Sequence, residues 1–157
     1  MIKILVDTTY LLPTFGIAVK KLREKDLMRL REIRMKELVK YYCLDVIWVE
    51  LIGKVHKEME KQKCSVDRII ELAIRSLEET DFYEWISVPT EAIILASKLR
   101  KIGHKDVIDN ILYATAVVKD VVFLSMDNEF KKFLESNNLD SDRIKSHNEL
   151  LSIIKMK

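Results

Sequence analysis

Four carboxylates of this chain stand where an α/β protein does chemistry. Asp7 ends the apolar run Ile4-Leu5-Val6, and Glu50 opens a helix in Trp48-Val49-Glu50-Leu51. Asp109 lies in the first turn of a helix in Asp109-Asn110-Ile111-Leu112-Tyr113-Ala114-Thr115-Ala116, and Asp127 follows the run Phe123-Leu124-Ser125-Met126. Sites in parallel sheets gather at the carboxyl ends of strands, so all four acids can converge on one mouth. Carboxylates held together repel one another, and they either take up protons or recruit a divalent cation. Hard oxygen donors without a His/Cys set favour Mg²⁺ or Mn²⁺. His56, His104 and His147 lack zinc-ligand spacing, and three glycines cannot build a phosphate loop or a dinucleotide turn.

Plainer roles exist for the same residues. Asp7 can open a turn, and Glu50 can pair with Lys54 four residues on, a surface contact worth about 0.3 to 0.5 kcal/mol. Asp127 suits the N-cap of a helix over 128–135. Asp106 can cap the helix that carries Asp109, whose charge the helix dipole then favours.

These acids need elements to position them. Short β-branched-rich runs predict strands at 2–6, 43–47, 85–88 and 121–124, with a short edge strand near Ile144. Helical periods run over 20–42 and 49–63. Ser65 can cap a helix carrying Ile69, Leu72, Ala73 and Leu77. Thr90 can cap another carrying Ile93, Ile94, Ala96 and Leu99, which stops at Gly103. The stretch 107–118 is apolar almost all round and predicts an internal helix packed on a sheet, and a tail helix is expected over 148–154. Strands alternating with helices predict an α/β fold with a central parallel sheet.

With 157 residues, 48% of them hydrophobic and 33% charged, the chain reads as one globular domain over 1–157, and collagenous or disordered classes are excluded. Cys43 and Cys64 form no Cys-x-x-Cys pair, no apolar run approaches a membrane span, and the opening 1–6 is too short for a signal peptide. Those features predict a soluble cytoplasmic protein without a membrane partner. Net charge is only +2, yet segment 20–40 carries nine Lys/Arg against four acids, +5 there and −3 elsewhere.

The order Leu-Val-Asp-Thr-Thr-Tyr-Leu-Leu, then Val-Glu-Leu, then Asp-Asn-Ile-Leu-Tyr-Ala-Thr-Ala, then Leu-Ser-Met-Asp-Asn-Glu-Phe resembles the PIN domain over nearly the whole chain, in its VapC-like toxin branch or a related archaeal-type protein. That resemblance implies an α/β/α sandwich about a parallel sheet and a Mg²⁺- or Mn²⁺-dependent endoribonuclease. Asp7, Glu50, Asp109 and Asp127 would form its acidic cluster, with direct metal ligation strongest for Asp7 and Asp109. Thr9 and Ser125 stand where the family often has Asn and Thr, and both keep a hydroxyl able to orient the acids. Asp106, one turn before Asp109, is an auxiliary acid in this reading. Expected partners are single-stranded RNA, an antitoxin protein and a second copy of the chain. In the basic segment, Leu22, Leu27, Leu30, Ile33 and Leu38 can face inward while Arg23, Arg29, Arg31, Arg34 and Lys36 meet an RNA backbone. A solvated helix pair or a dimer surface explains that segment equally well. The alternatives to a nuclease are a catalytically silent PIN-like RNA-binding or assembly protein and, more remotely, a phosphotransfer switch built on an Asp after a strand.

Overall fold

A computed structural model describes residues 1–62 and 67–155. Five strands, β1 (Ile2–Val6), β2 (Val39–Leu44), β3 (Tyr83–Ile86), β4 (Val122–Leu124) and β5 (Ile144–Lys145), form one sheet in the order β3-β2-β1-β4-β5. Every pairing is parallel. Seven helices link and cover them: α1 (Glu24–Met35), α2 (Ile47–Gln62), α3 (Asp67–Glu78), α4 (Thr90–Lys101), α5 (Val107–Lys119), α6 (Asn128–Ser136) and α7 (His147–Lys155). The result is the expected α/β/α sandwich. Ile4, Leu5 and Val6 of the central strand are all buried, because helices lie on both faces of the sheet.

The Tyr41 hydroxyl donates to the Leu30 carbonyl of α1, and Trp85 Nε1 donates to the Leu77 carbonyl of α3, which fixes both helices to one face. On the opposite face α5 is the inner helix, with Leu112, Tyr113, Ala114 and Ala116 buried. Alanines set its packing on α4: Ala92 and Ala96 meet Ala114 in a small cluster of their own. The core face of α4 therefore runs Ala92, Ala96, Leu99, while Ile93 (54% exposed) and Ile94 (53%) point to solvent rather than inward as their apolarity predicted. The same reversal occurs on α3, where Ala73 and Leu77 are buried but Ile69 and Leu72 are exposed.

Two expected boundaries move. Segment 20–42 is not one helix: α1 stops at Met35, Glu37 takes a left-handed backbone conformation (φ 54°), and β2 begins at Val39. The alternation Val39, Tyr41, Cys43, all buried, is a period-2 pattern that the run of charges before it masks. The second strand thus begins four residues earlier than expected and the third two residues earlier. Thr90 is the first residue of α4 rather than its cap, a position held by Pro89, which makes no side-chain cap bond. The Ser65 cap lies outside the described residues.

Arg34 of the basic segment has a structural task. Its Nε donates to the Phe82 carbonyl at 3.1 Å and its Nη2 to the Asp81 carbonyl at 2.6 Å, so the guanidinium ties α1 to the turn before β3. Replacing Arg34 with Ala is expected to destabilise the fold by about 1 to 2 kcal/mol, since two charge-assisted bonds to a turn are lost. Urea denaturation measures this, and a midpoint equal to wild type would show that the turn holds without it.

Candidate active site

The strand order puts β1 between β2 and β4, so Asp7 emerges at the centre of the sheet mouth. The Asp7 amide donates to the Leu124 carbonyl at 3.1 Å, continuing the ladder one residue past the strand. This register brings Ser125 alongside, and its Oγ donates to Asp7 Oδ2 at 3.0 Å. The same Oγ accepts from the Asp127 amide at 3.2 Å, so one hydroxyl links the two acids. After Asp7 the chain enters a single 3-10 turn over Thr8–Tyr10, in which the Tyr10 amide donates to the Asp7 carbonyl. Behind that turn the buried Tyr10 hydroxyl accepts from the His147 amide at 3.1 Å and meets His147 Nδ1 at 3.2 Å, anchoring the loop to α7.

Glu50 comes from the first turn of α2. Its Oε2 accepts from the Thr8 hydroxyl at 2.5 Å, and its Oε1 pairs with Lys54 Nζ at 2.6 Å. Thr8 is the residue the motif reading missed. The motifs single out the neighbouring Thr9, but the turn points the fully buried Thr8 side chain at Glu50. No pattern in the sequence separates the two threonines, because a 3-10 turn rather than a strand decides which one faces the site.

Both remaining acids begin helices. Asp109 is in the first turn of α5, whose N-cap is Asp106: Asp106 Oδ1 accepts from the amides of Ile108 (3.0 Å) and Asp109 (3.1 Å). Asp127 caps α6, accepting from the Phe130 amide through Oδ1 at 2.9 Å. The capping roles are therefore real for Asp106 and Asp127, and the Glu50–Lys54 pair is real as well. None of them excludes a share in the site.

Electrostatics show the four acids acting on one another. Burial pushes the Asp109 carboxyl up to about 8, and the charges of Asp106, Asp7, Asp127 and Glu50 push the same way. Burial raises Asp7 to about 6; Lys54 and the Ser125 hydrogen bond oppose that rise, and Glu50 adds to it. For Lys54, burial alone would lower the ammonium, but Glu50, Asp7 and Asp109 together leave it raised. The sheet mouth is thus an acidic cluster with one cation inside it.

Among the described residues, no three His, Cys, Asp or Glu side chains stand in the spacing of a metal shell. The acids share a mouth without the close ligand-to-ligand approach of a metal shell. The donor set still fits a hard divalent ion. Asp7 is 7% exposed, and among the described residues no cation lies within 4 Å of its carboxylate, an arrangement that favours a positive partner.

Of the basic residues expected on an RNA path, three are engaged within the chain. Arg23 Nε bonds Asp26 Oδ2 at 3.0 Å, Lys36 pairs with Glu32 at 2.5 Å, and Arg34 holds the turn described above. Arg29 and Arg31 are exposed on α1.

No model of a known protein family matches the sequence, and no curated protein matches it. Solved structures do match in shape. A chain of VapBC2 from Rickettsia felis, solved bound to a DNA fragment from its promoter, superposes with a TM-score of 0.63 at 13% identity, covering 92% of this chain and 98% of that one. This chain has a PIN-like fold. PAE2754 from Pyrobaculum aerophilum gives a TM-score of 0.60 at 14% identity over 99% of this chain and 91% of its own. DNA-bound VapBC from Salmonella typhimurium gives 0.57 at 17% identity, over 94% and 99%. Similarity at these identities concerns the PIN-like sandwich and leaves the chemistry to the residues at its mouth.

Those residues predict a graded effect. Removing the hydroxyl that orients Asp7 (Ser125→Ala) or the one that orients Glu50 (Thr8→Val) is expected to weaken Mn²⁺ affinity about 10- to 100-fold, the usual range for groups that orient ligands. Thr9→Val is expected to change it little, because the hydroxyls that hold Asp7 and Glu50 come from Ser125 and Thr8. Calorimetric titration of the three variants checks the order, and equal losses at Thr8 and Thr9 would show that the turn geometry does not control the site.

Proposed function

We propose that this protein is a metal-dependent endoribonuclease of the PIN type, acting as the toxin of a toxin–antitoxin pair. The observation that carries the reading is that the buried Asp7 and the half-buried Glu50, Asp109 and Asp127 gather at the carboxyl mouth of a PIN-like sheet, where the charges of the other three raise Asp109. Asp7 and Asp109 would hold the ion, with Glu50 and Asp127 completing its surroundings. When bound, Mg²⁺ or Mn²⁺ supplies a nucleophilic water of lowered pKa and neutralises charge on the phosphodiester.

The chain's own groups do the rest. Ser125 keeps Asp7 Oδ2 turned toward β4, and Thr8 keeps Glu50 Oε2 turned toward β1. Asp127 spends Oδ1 on the α6 cap. Arg29 and Arg31 offer charge to an RNA backbone. Single-stranded RNA is the substrate class this reading assigns. An antitoxin and a second copy of the chain are the protein partners, supported by the VapBC neighbours and by the exposed Ile69, Leu72, Ile93 and Ile94. No helix among the described residues is long and apolar enough to cross a membrane.

Incubating a mixed RNA pool with the protein in Mn²⁺, in Mg²⁺ and in chelator tests the activity. Cleavage only with metal supports the nuclease. Binding of RNA without cleavage in any metal would favour the silent assembly protein, for which the absence of metal-shell spacing among the described residues speaks.

A further inference from the structure

We propose that Lys54 is a tethered competitor of the divalent cation: its ammonium offsets part of the charge of the acid cluster until an ion enters, and it leaves Glu50 as the ion binds. This inference rests on the reading of the cluster as a metal site and specifies what regulates its occupancy.

One helical turn separates Glu50 and Lys54, which puts both on the same face of α2. An i,i+4 pair on a free surface would be a minor contact. Here the pair is built differently. Glu50 is four-fifths buried, its Oε1 is held by Lys54 Nζ at 2.6 Å, and its Oε2 is held by the Thr8 hydroxyl. Both oxygens of this acid are therefore engaged before any ion arrives.

The reach of Lys54 extends beyond its partner. Glu50 alone lies within salt-bridge distance, but the charge of Lys54 also favours ionised Asp7, and the charges of Asp7 and Asp109 in turn favour the ammonium. Asp7, more than nine-tenths buried, has a serine hydroxyl as partner and no cation within salt-bridge distance among the described residues. The cluster thus holds one positive charge beside a buried carboxylate that still lacks a direct cationic partner. A divalent ion entering there meets the like charge of an ammonium that Glu50 holds at the same mouth. Lys54 has somewhere to go: its side chain is 41% exposed, and its flexible four-carbon stem can carry the ammonium into solvent. Metal entry and lysine release are then one exchange, and the affinity of the site is set by their difference.

Titration of the full chain with Mn²⁺ at pH 8.5 by calorimetry, for wild type, Lys54→Met and Lys54→Arg, tests the exchange. Methionine keeps the length of the stem and removes the charge, so Lys54→Met is expected to bind Mn²⁺ about tenfold more tightly, and Lys54→Arg within about twofold of wild type. A second readout uses the unaltered protein: amine-reactive labelling of Lys54, read by mass spectrometry, is expected to rise several-fold when Mn²⁺ is added. Wild-type binding with Lys54→Met equal or weaker, or labelling unchanged by Mn²⁺, overturns the competition and leaves the metal site standing. No Mn²⁺ binding by wild type or either variant overturns both.

Discussion

Asp7→Asn is expected to abolish metal-dependent RNA cleavage while leaving the protein folded and, at pH 8, more stable than wild type. The two halves have one cause. Asp7 is buried at the centre of the mouth, and its carboxyl is raised from 3.8 to about 6 by burial, against the opposing pull of Lys54 and Ser125. Keeping it ionised in the folded chain at pH 8 therefore costs roughly 3 kcal/mol without a bound cation. Asn is neutral, matches the shape and still accepts from the Ser125 hydroxyl, so the variant escapes that cost. Catalysis loses a charged ligand and the several kcal/mol of charge stabilisation that a correctly held ion provides, which amounts to about 1,000-fold or more in rate. Cleavage of an RNA pool in Mn²⁺, followed beside thermal unfolding at pH 8, measures both halves. Equal cleavage by wild type and Asp7→Asn would remove this cluster from the reaction.

The metal-free protein is expected to lose stability steeply between pH 6.5 and 8.5, and Asp109→Asn is expected to flatten that slope. Asp109 has an ordinary carboxyl value of 3.8 when unfolded and about 8 when folded, raised first by burial and then by Asp106, Asp7, Asp127 and Glu50. The folded state thus binds a proton that the unfolded state has released. Its contribution is fully present below about pH 3.8 and is lost as pH rises through about 8, a change of several kcal/mol. His147 works in the other direction and in another window. Burial lowers its imidazole from 6.5, so its contribution is present above pH 6.5 and fades as pH falls below that value. Urea midpoints across pH 6.5 to 8.5 isolate Asp109, and adding Mn²⁺ at pH 8.5 is expected to restore stability through linkage to the bound ion. A wild-type midpoint independent of pH over that range would show that Asp109 is already compensated by another group.

Local chemistry was legible in the sequence where one residue decides the outcome. The run Ile4-Leu5-Val6 reads as a buried strand and Asp7 after it as a residue at the sheet mouth, and both stand there in the fold. Asp106 and Asp127 announce helix starts through their own side chains, and both cap as expected. The parallel sandwich followed from the alternation of elements, and its likeness to the PIN domain from four short motifs in order. Other features depend on partners distant in sequence. Which faces of α3 and α4 are buried was decided by close packing through Ala73, Ala92 and Ala96, and no apolarity scale ranks alanine above isoleucine for that task. The end of α1 depended on Glu37 adopting a left-handed conformation and on Arg34 reaching carbonyls 47 and 48 residues away. At the site, sequence determined which acids exist, but only the register between β1 and β4 sets Ser125 on Asp7, and only the turn after β1 chooses Thr8 over Thr9. Lys54 was visible beside Glu50 all along. Its weight comes from Asp7 and Asp109, which the tertiary fold brings within reach of its charge, since electrostatic coupling follows distance in space and not distance along the chain.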